Sequence, residues 1–475
     1  MDIPYLLQLP PTVDLREDGM DYLIAHRDGP VLRCQRPGPG MRSLLQGLRQ
    51  GGQAADQLIA SATAAEPAID ATRLYFLLAK LEANRFLTYT LAAAGQALAT
   101  LEPMAAGFHF DRSSPTSPPT GRWRWSRFAC LRREGEVMLA EGPLGHARVV
   151  LHDPRLCALV GILAVPRNLD ELAAALPAFD AASLAATVVL LLNARVVGAC
   201  DAAGQLVEET DATLRHWEFH DLYFHSRSRS GRHAYPVGGT FRFKDELAHV
   251  PALKAPMSTV HTELPRPTAE RIGTDFFAVL DARRSRRNPS TSGAAALTLT
   301  QLGEFLWWSA RVQQHRPADL QQPGSYETTL RPCASGGAMH ELELYLNISR
   351  CSGLTPGLYH YAPLAHALEH LAETGDARQA LLQDAMNASG LTQPPDVLIT
   401  VASRFGRLAW KYEGVAYALT LKNLGVLYQQ MYLVATALGL APCALGAGNS
   451  DTFAQATGLD YFAETAVGEF MLSAG

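Results

Sequence analysis

The chain has no CxxC pair. Its seven cysteines (Cys34, Cys130, Cys157, Cys200, Cys333, Cys351 and Cys443) are scattered and odd in number, which argues against a disulfide framework or a zinc site and suits reduced thiols. Excess charge of either sign is also missing. Lys and Arg total 41 against 46 Asp and Glu, a formal charge of -5 at pH 7, so the overall balance points to neither nucleic acid nor a membrane surface as partner. The amino terminus, MDIPYLLQLPPTVDL, carries an acidic residue where a signal peptide needs positive charge, and its apolar core is too short. Cytoplasmic residence is the expectation. With 475 residues the chain is long enough for two or three domains, each burying its own core.

Charge nearly vanishes in one stretch. From Gly414 to Ser450 the only ionised side chain is Lys422, and so apolar a length raises the question of a membrane span, which needs about 20 apolar residues. Thr420, Asn423, Gln429, Gln430 and Thr436 would then sit in hydrocarbon. A helix buried inside a large protein accounts for the same pattern. It is expected to begin after Lys411–Tyr412 and to end near Gly439, which can adopt the left-handed cap. Beyond it a glycine-spaced loop, Gly446-Ala-Gly448, lets backbone approach a ligand closely.

The first two hundred residues contain a weak repeat. Asn84-Arg-Phe-Leu-Thr-Tyr-Thr-Leu with Ala93-Ala-Gly-Gln96 resembles Asn193-Ala-Arg-Val-Val-Gly-Ala-Cys with Ala202-Ala-Gly-Gln205, and both parts share one offset, 193 − 84 = 202 − 93 = 109. Preceding elements match in order: a turn at Asp28-Gly29 with one at Glu134-Gly135, a small helix at Asp56-Gln-Leu with one at Asp170-Glu-Leu, and an apolar helix before each asparagine. Strands, helices and a final hairpin wing describe a winged-helix-like module present twice, over 1–110 and 122–212. The seam is Asp111 to Gly121, DRSSPTSPPTG, whose prolines and serines favour an extended linker. A DNA-reading helix would carry Lys or Arg on one face, whereas Leu184–Leu192 is uncharged. Such a module can instead add an extended peptide to its wing edge as a further strand, and peptide recognition is the expected role.

A connector follows over 213–270. His216, His220 and His225 fit no defined zinc spacing, and Pro251, Pro256, Pro265 and Pro267 disfavour helix. The last domain, 271–475, opens on a helical pattern, Phe276-Phe-Ala-Val-Leu-Asp-Ala, that delivers Arg283-Arg-Ser-Arg-Arg287. Four guanidiniums and a hydroxyl in five residues suit an anion, because planar Arg forks pair with phosphate oxygens. A helix over Leu299 to Ala310 carries Trp307-Trp308 as core or as a contact between copies. A small-residue turn, Ala334-Ser335-Gly336-Gly337, then feeds the strand-like run from His340 to Leu346, where a flat ligand can lie against backbone. His366-Ala-Leu-Glu369-His370 satisfies the pattern of inverted zinc proteases. Its context reads as strand, turn and strand, which does not make a helical metal grip, so no metal site is expected.

Taken together, the segments at 217–229, 283–287, 334–346, 357–363 and 410–446 resemble the nitroreductase-fold flavoproteins, and among them the SagB-type azoline dehydrogenases that act on ribosomally made peptides. The resemblance covers Leu214 to the carboxyl terminus by motif and the repeat region by architecture. It implies an α+β chain: a carboxy-terminal nitroreductase-like FMN domain, with an antiparallel-rich sheet flanked by helices, preceded by two tandem winged-helix-like modules that recognise a leader peptide. It also implies a homodimer with FMN at its interface. Arg283, Ser285 and Arg287 match the first flavin-binding motif; Ser335 and Gly336 match the second, offered from the other subunit; Leu445 and Gly446 match the late loop beside the flavin. No basic residue follows Lys422, where many nitroreductases place a phosphate-binding pair. The phosphate would then depend on the arginine cluster, or on Arg331 or Arg404.

Lys411-Tyr412 matches a Lys–Tyr pair that the peptide-modifying branch uses and simple nitroreductases lack. Turning an azoline into an azole removes an α-proton and a hydride, so the site needs a base beside the flavin, with Lys411 as base and Tyr412 as its orienting or relaying partner, or the reverse. The expected activity is FMN-dependent oxidation of thiazoline or oxazoline rings in a precursor peptide, in association with a cyclodehydratase. Two alternatives remain: NAD(P)H-dependent reduction of nitro compounds or quinones in the same fold, and a catalytically degenerate protein that recruits the peptide. No nucleic-acid or membrane partner is expected.

Overall fold

The computed structural model describes residues 5–26, 31–111, 121–267, 275–287, 296–319, 321–322 and 325–475. The proposed turn at Asp28-Gly29, the start of the last domain at Arg271 and nearly all of the proline-serine seam lie outside the described residues. The chain divides into two compact units, Met1–Tyr235 and Pro236–Gly475. Among the described residues no helix is long and apolar enough to cross a membrane.

The amino-terminal unit holds the two apolar helices read from the repeat, in a tighter relation than the motifs gave. The apolar helices Ala71–Ala83 and Ala181–Asn193 each run for 13 residues and start 181 − 71 = 110 residues apart. Both are capped by an aspartate whose carboxylate accepts a backbone N–H of the first turn, Asp70 from Thr72 and Asp180 from Ser183. Each ends in a left-handed arginine, Arg85 and Arg195, after which the next N–H returns to the last turn (Phe86 to Leu81, Val196 to Leu191). Gly95 and Gly204, which share a φ of 80°, stand 109 apart. One residue is therefore lost between helix end and turn in the second copy.

That second copy builds no hairpin. After Asn84 the chain forms the wing Thr88–Ala93 and Gln96–Pro103, but after Asn193 it makes only the short strand Val197–Ala199, paired with Trp123–Trp125. The Asp201 carboxylate accepts the N–H groups of Ala203 and Gln205, each at 2.9 Å. Glu209 then takes the N–H of Leu206, which turns the chain into the helix Val207–Thr210 instead of a returning strand. The two copies also share one antiparallel sheet. Its order is Gln53–Ala54, Leu6–Gln8, Thr88–Ala93, Gln96–Pro103, Ala147–Leu151, Val137–Glu141 and Cys130–Glu134, joined where Ala99–Pro103 pairs with Ala147–Leu151. Leu184, Val188, Leu190 and Leu191 of the uncharged helix are buried in the core common to both.

In the carboxy-terminal unit seven antiparallel strands run in the order His261–Glu263, Ala367–Ala372, Gly357–Ala362, Leu342–Ile348, Val397–Ser403, Thr465–Ser473 and Ala441–Leu445. The central strands are apolar on both faces, because helices cover both. Leu344, Leu346, Ile348, Ile399 and Val401 meet the helices Leu299–Ala310 and Ala416–Ala437. The alternate residues Tyr345, Leu398 and Ala402 meet Asp376–Ser389 and Ser450–Thr457. The zinc-protease-like motif runs from the turn, where His366 is left-handed, into the strand Ala367–Ala372.

The uncharged stretch is helical from Ala416 to Ala437 and stops at Gly439, which is left-handed. It is not buried all round. Ala416, Thr420, Asn423, Leu424, Leu427, Met431 and Ala435 form the buried stripe, while Tyr417, Leu421 and Val426 are exposed on the face away from the sheet. A period near four places the apolar residues of one stripe on the sheet and leaves a second apolar stripe outside.

Candidate functional site

Lys411 is not the first residue of the long helix. It is the last of a separate seven-residue helix, Phe405–Lys411, and Tyr412 follows in extended conformation. Arg407 sets the position of this helix. Its guanidinium is completely buried and donates to three carbonyls, those of Met339, Val250 (2.6 Å) and Glu327 (2.8 Å). Burial pulls this guanidinium down to about 10, with neighbouring Arg404 acting in the same direction. The clamp ties together three segments, two of which deliver polar groups to the site.

The first segment is the turn Ser335-Gly336-Gly337. Ser335 Oγ accepts the N–H of His340 (3.0 Å) and the side-chain N–H of Asn423 (3.2 Å), and Asn423 Oδ1 accepts the N–H of Gly336 (3.1 Å). Asn423 Nδ2 also donates to both oxygens of Glu341, at 2.9 and 3.2 Å. That carboxyl is fully buried, and burial pushes it above the ordinary range. His340 is driven down to about 3 by burial and by Arg331 and Arg407, so it is neutral. Gly337 has φ 61°, and a Cβ there would lie 2.6 Å from both Lys411 Nζ and Tyr412 Oη. Only glycine lets the turn touch both groups.

The second segment carries Tyr326. Lys411 Nζ donates to its hydroxyl, which donates to the Gly337 carbonyl at 3.1 Å. Lys411 Nζ also lies 4.7 Å from the Tyr326 ring, 5.2 Å from that of Tyr412 and 5.5 Å from that of Phe241. Phe241 is fixed by its own N–H on the Lys411 carbonyl.

A separate cluster gathers the other expected residues. Ser285 Oγ and Tyr432 Oη are 2.8 Å apart, the Arg283 guanidinium lies over the Tyr432 ring, and Tyr432 Oη accepts the N–H of Ala444 at 2.8 Å. Arg286 N–H reaches the Pro442 carbonyl, and Arg287 lies against the Cys443 thiol. Leu445 ends the same strand and Gly446 has open space where a side chain would be. Asn423 and Tyr432, which anchor the two clusters, are nine residues apart on the long helix, about 13 Å along its axis. The structure thus brings Ser335, Gly336, Lys411 and Tyr412 together, and Arg283, Ser285, Arg287 and Leu445 together, as two groups. Arg404 is engaged with buried Glu343 at 3.3 Å. Arg331 is buried and its Nη2 has no partner among the described residues.

These groups fit FMN. Residues 283–287 carry four guanidiniums, a density whose planar forks suit a phosphate. The turn at Ser335–Gly336 offers backbone and hydroxyl groups, with only the Leu419 side chain near a Cβ built on Gly336.

Residues 281–472 match the nitroreductase family, and residues 123–234 match the cyanobactin oxidase ThcOx family. A nitroreductase-family protein of Methanocaldococcus jannaschii is 28% identical over 185 residues, 39% of this chain and 84% of that protein. The microcin B17-processing protein McbC of Escherichia coli is 30% identical over 141 residues, 28% of this chain and 49% of that protein. The alignment thus spans about half of McbC. Among solved structures, the Escherichia coli microcin synthetase McbBCD complex with truncated pro-MccB17 bound gives a TM-score of 0.32 at 20% identity, covering 52% of this chain and 89% of that one. The carboxy-terminal unit carries a nitroreductase-family domain. The two family matches lie on different parts of the chain, and both are in line with the SagB-type resemblance of its motifs.

Another buried acid lies under the late loop. Glu469 pairs in register with Leu445, and its carboxyl fills the space that a side chain at 448 would need. Burial, with Asp384 adding to it, pushes Glu469 up to about 7. The folded state therefore holds this proton more tightly than the unfolded chain. Its contribution to stability is fully present below the ordinary glutamate range and is lost as pH rises through about 7. Glu469→Gln should accordingly stabilise the protein at pH 8 by about 3 kcal/mol and by much less at pH 5. Denaturant unfolding at both values checks this, and equal gains at the two pH values would refute it.

Proposed function

We propose that this protein oxidises thiazoline or oxazoline rings in a ribosomally synthesised precursor peptide to the aromatic azoles. The observation that carries the reading is the convergence of Lys411 and Tyr412 on the Ser335–Gly337 turn, which brings a base and a hydroxyl to a loop suited to the flavin. The ring gives up its α-proton to Lys411 or Tyr412 and a hydride from the neighbouring ring carbon; FMN supplies the hydride acceptor. Ser335 and Gly336 bind the flavin edge with Asn423 holding their turn, and Arg283, Ser285 and Arg287 bind phosphate and ribityl. Leu445 and Gly446 offer backbone. The spacing of the two clusters in one chain supports a homodimer in which each flavin site takes one cluster from each copy. The exposed stripe Tyr417, Leu421 and Val426 is apolar surface that a second copy would cover.

In the same reading the amino-terminal repeats, 1–110 and 122–212, are winged-helix-like modules that bind the peptide, joined by a connector over 213–270 to the catalytic domain from 271. A cyclodehydratase makes the substrate and associates with this enzyme, as McbC occurs with a bound pro-peptide in the McbBCD complex. Mass spectrometry of azoline peptides incubated with the FMN-loaded protein tests the activity. Loss of two hydrogen atoms per ring is the expected result; turnover only with NADPH and a nitroaromatic would replace this reading with simple nitro reduction. Arg283→Ala should weaken FMN by about 2 kcal/mol, roughly thirtyfold in Kd. A flavin fluorescence titration reads this directly, and an unchanged Kd would take Arg283 out of the phosphate site.

A further inference from the structure

The Lys–Tyr pair has a third member. From the donor and acceptor roles around Lys411 we infer that Tyr326 is its positioning residue, and that Tyr412 is thereby left free to face the substrate. This rests on the reading of Lys411 as base.

The Tyr326 hydroxyl has one proton, and it is committed to the Gly337 carbonyl at 3.1 Å, an acceptor that can give nothing back. Towards Lys411 the Tyr326 oxygen can therefore only accept. It takes an N–H of the lysine and leaves the lone pair of the neutral amine unengaged. A tyrosine donating to the amine would occupy that lone pair and disable the base. Because the same hydroxyl is anchored on Gly337, the amine is fixed relative to the turn that Asn423 holds. The Tyr412 hydroxyl is also against Gly337, yet it makes no hydrogen bond to another described residue. It is the group left to relay a proton or to contact the ring. Arg407 supports the arrangement from behind, since its bonds to the carbonyls of Glu327 and Met339 fix the residue after Tyr326 and the residue two beyond Gly337.

The test is Tyr326→Phe, which removes the hydroxyl and keeps the ring that packs near Phe241 and Trp410 at 6.1 and 6.0 Å. The expected result is a fall of about ten- to a hundredfold in kcat for the azoline peptide, with KM within twofold and FMN content unchanged. Lys411→Ala is measured alongside. Near-parental kcat in Tyr326→Phe beside an inactive Lys411→Ala would overturn the positioning role while leaving the base assignment intact. Loss of FMN or of folded protein in Tyr326→Phe would also overturn it, because the hydroxyl would then serve the scaffold. Normal turnover by Lys411→Ala would remove the base assignment itself, and the role of Tyr326 with it.

Discussion

Lys411→Ala is expected to abolish azoline oxidation while leaving FMN bound. A positioned general base contributes about 10²–10⁴ in rate, or roughly 3–5 kcal/mol of barrier, and the structure offers no second amine at the Gly337 turn among the described residues. The side chain ends a helix that Arg407 clamps from its interior, so trimming it at Cβ removes no buried hydrogen bond except that to Tyr326. The arginine cluster proposed to hold the phosphate lies at the other group of residues, about Tyr432, and should be untouched. Flavin absorbance of the purified variant, its mass in solution and mass-spectrometric turnover separate these effects. Near-normal turnover would exclude Lys411 as base, and colourless protein would show that its role is structural.

Gly337→Ala should be almost as damaging, for a different reason. The residue sits at φ 61°, where an L side chain costs about 1–2 kcal/mol, and its Cβ would lie 2.6 Å from Lys411 Nζ and Tyr412 Oη. Both are the mobile ends of side chains, so the fold can accommodate the methyl group by pushing them aside. Misplacement of reacting groups by about 1 Å costs on the order of a hundredfold in rate. The variant should therefore fold, bind FMN and lose about a hundredfold in kcat. Full activity would mean that neither group needs its observed place. A double variant with Lys411→Ala should be no worse than Lys411→Ala alone if the glycine acts through the lysine.

The elements around this site were legible because their cues are local. Leu299–Ala310 was bounded correctly by its periodicity, and the long helix by its lack of charge and by Gly439. What stayed hidden was which residues meet across the fold. Asn423 was visible as a polar residue in an apolar helix, and a buried amide needs partners, but nothing local says that they are Ser335, Gly336 and Glu341. Tyr326 carried no cue at all. It stands in an irregular segment, and its importance comes from a lysine 85 residues away. The repeat was read at an offset of 109, whereas its helices obey 110, because the match was weighted by Ala-Gly-Gln turns instead of by helix caps.

The shared sheet of the amino-terminal unit makes the duplicated halves mutually dependent. Five residue pairs join Ala99–Pro103 to Ala147–Leu151. Separating the copies would bare two strand edges at once, each a row of unpaired amides and carbonyls ready to recruit another chain. The duplication is thus locked in. Neither copy can be shed or swapped as a cassette without turning its sibling into a template for aggregation, so the unit should be inherited and exchanged only as a whole.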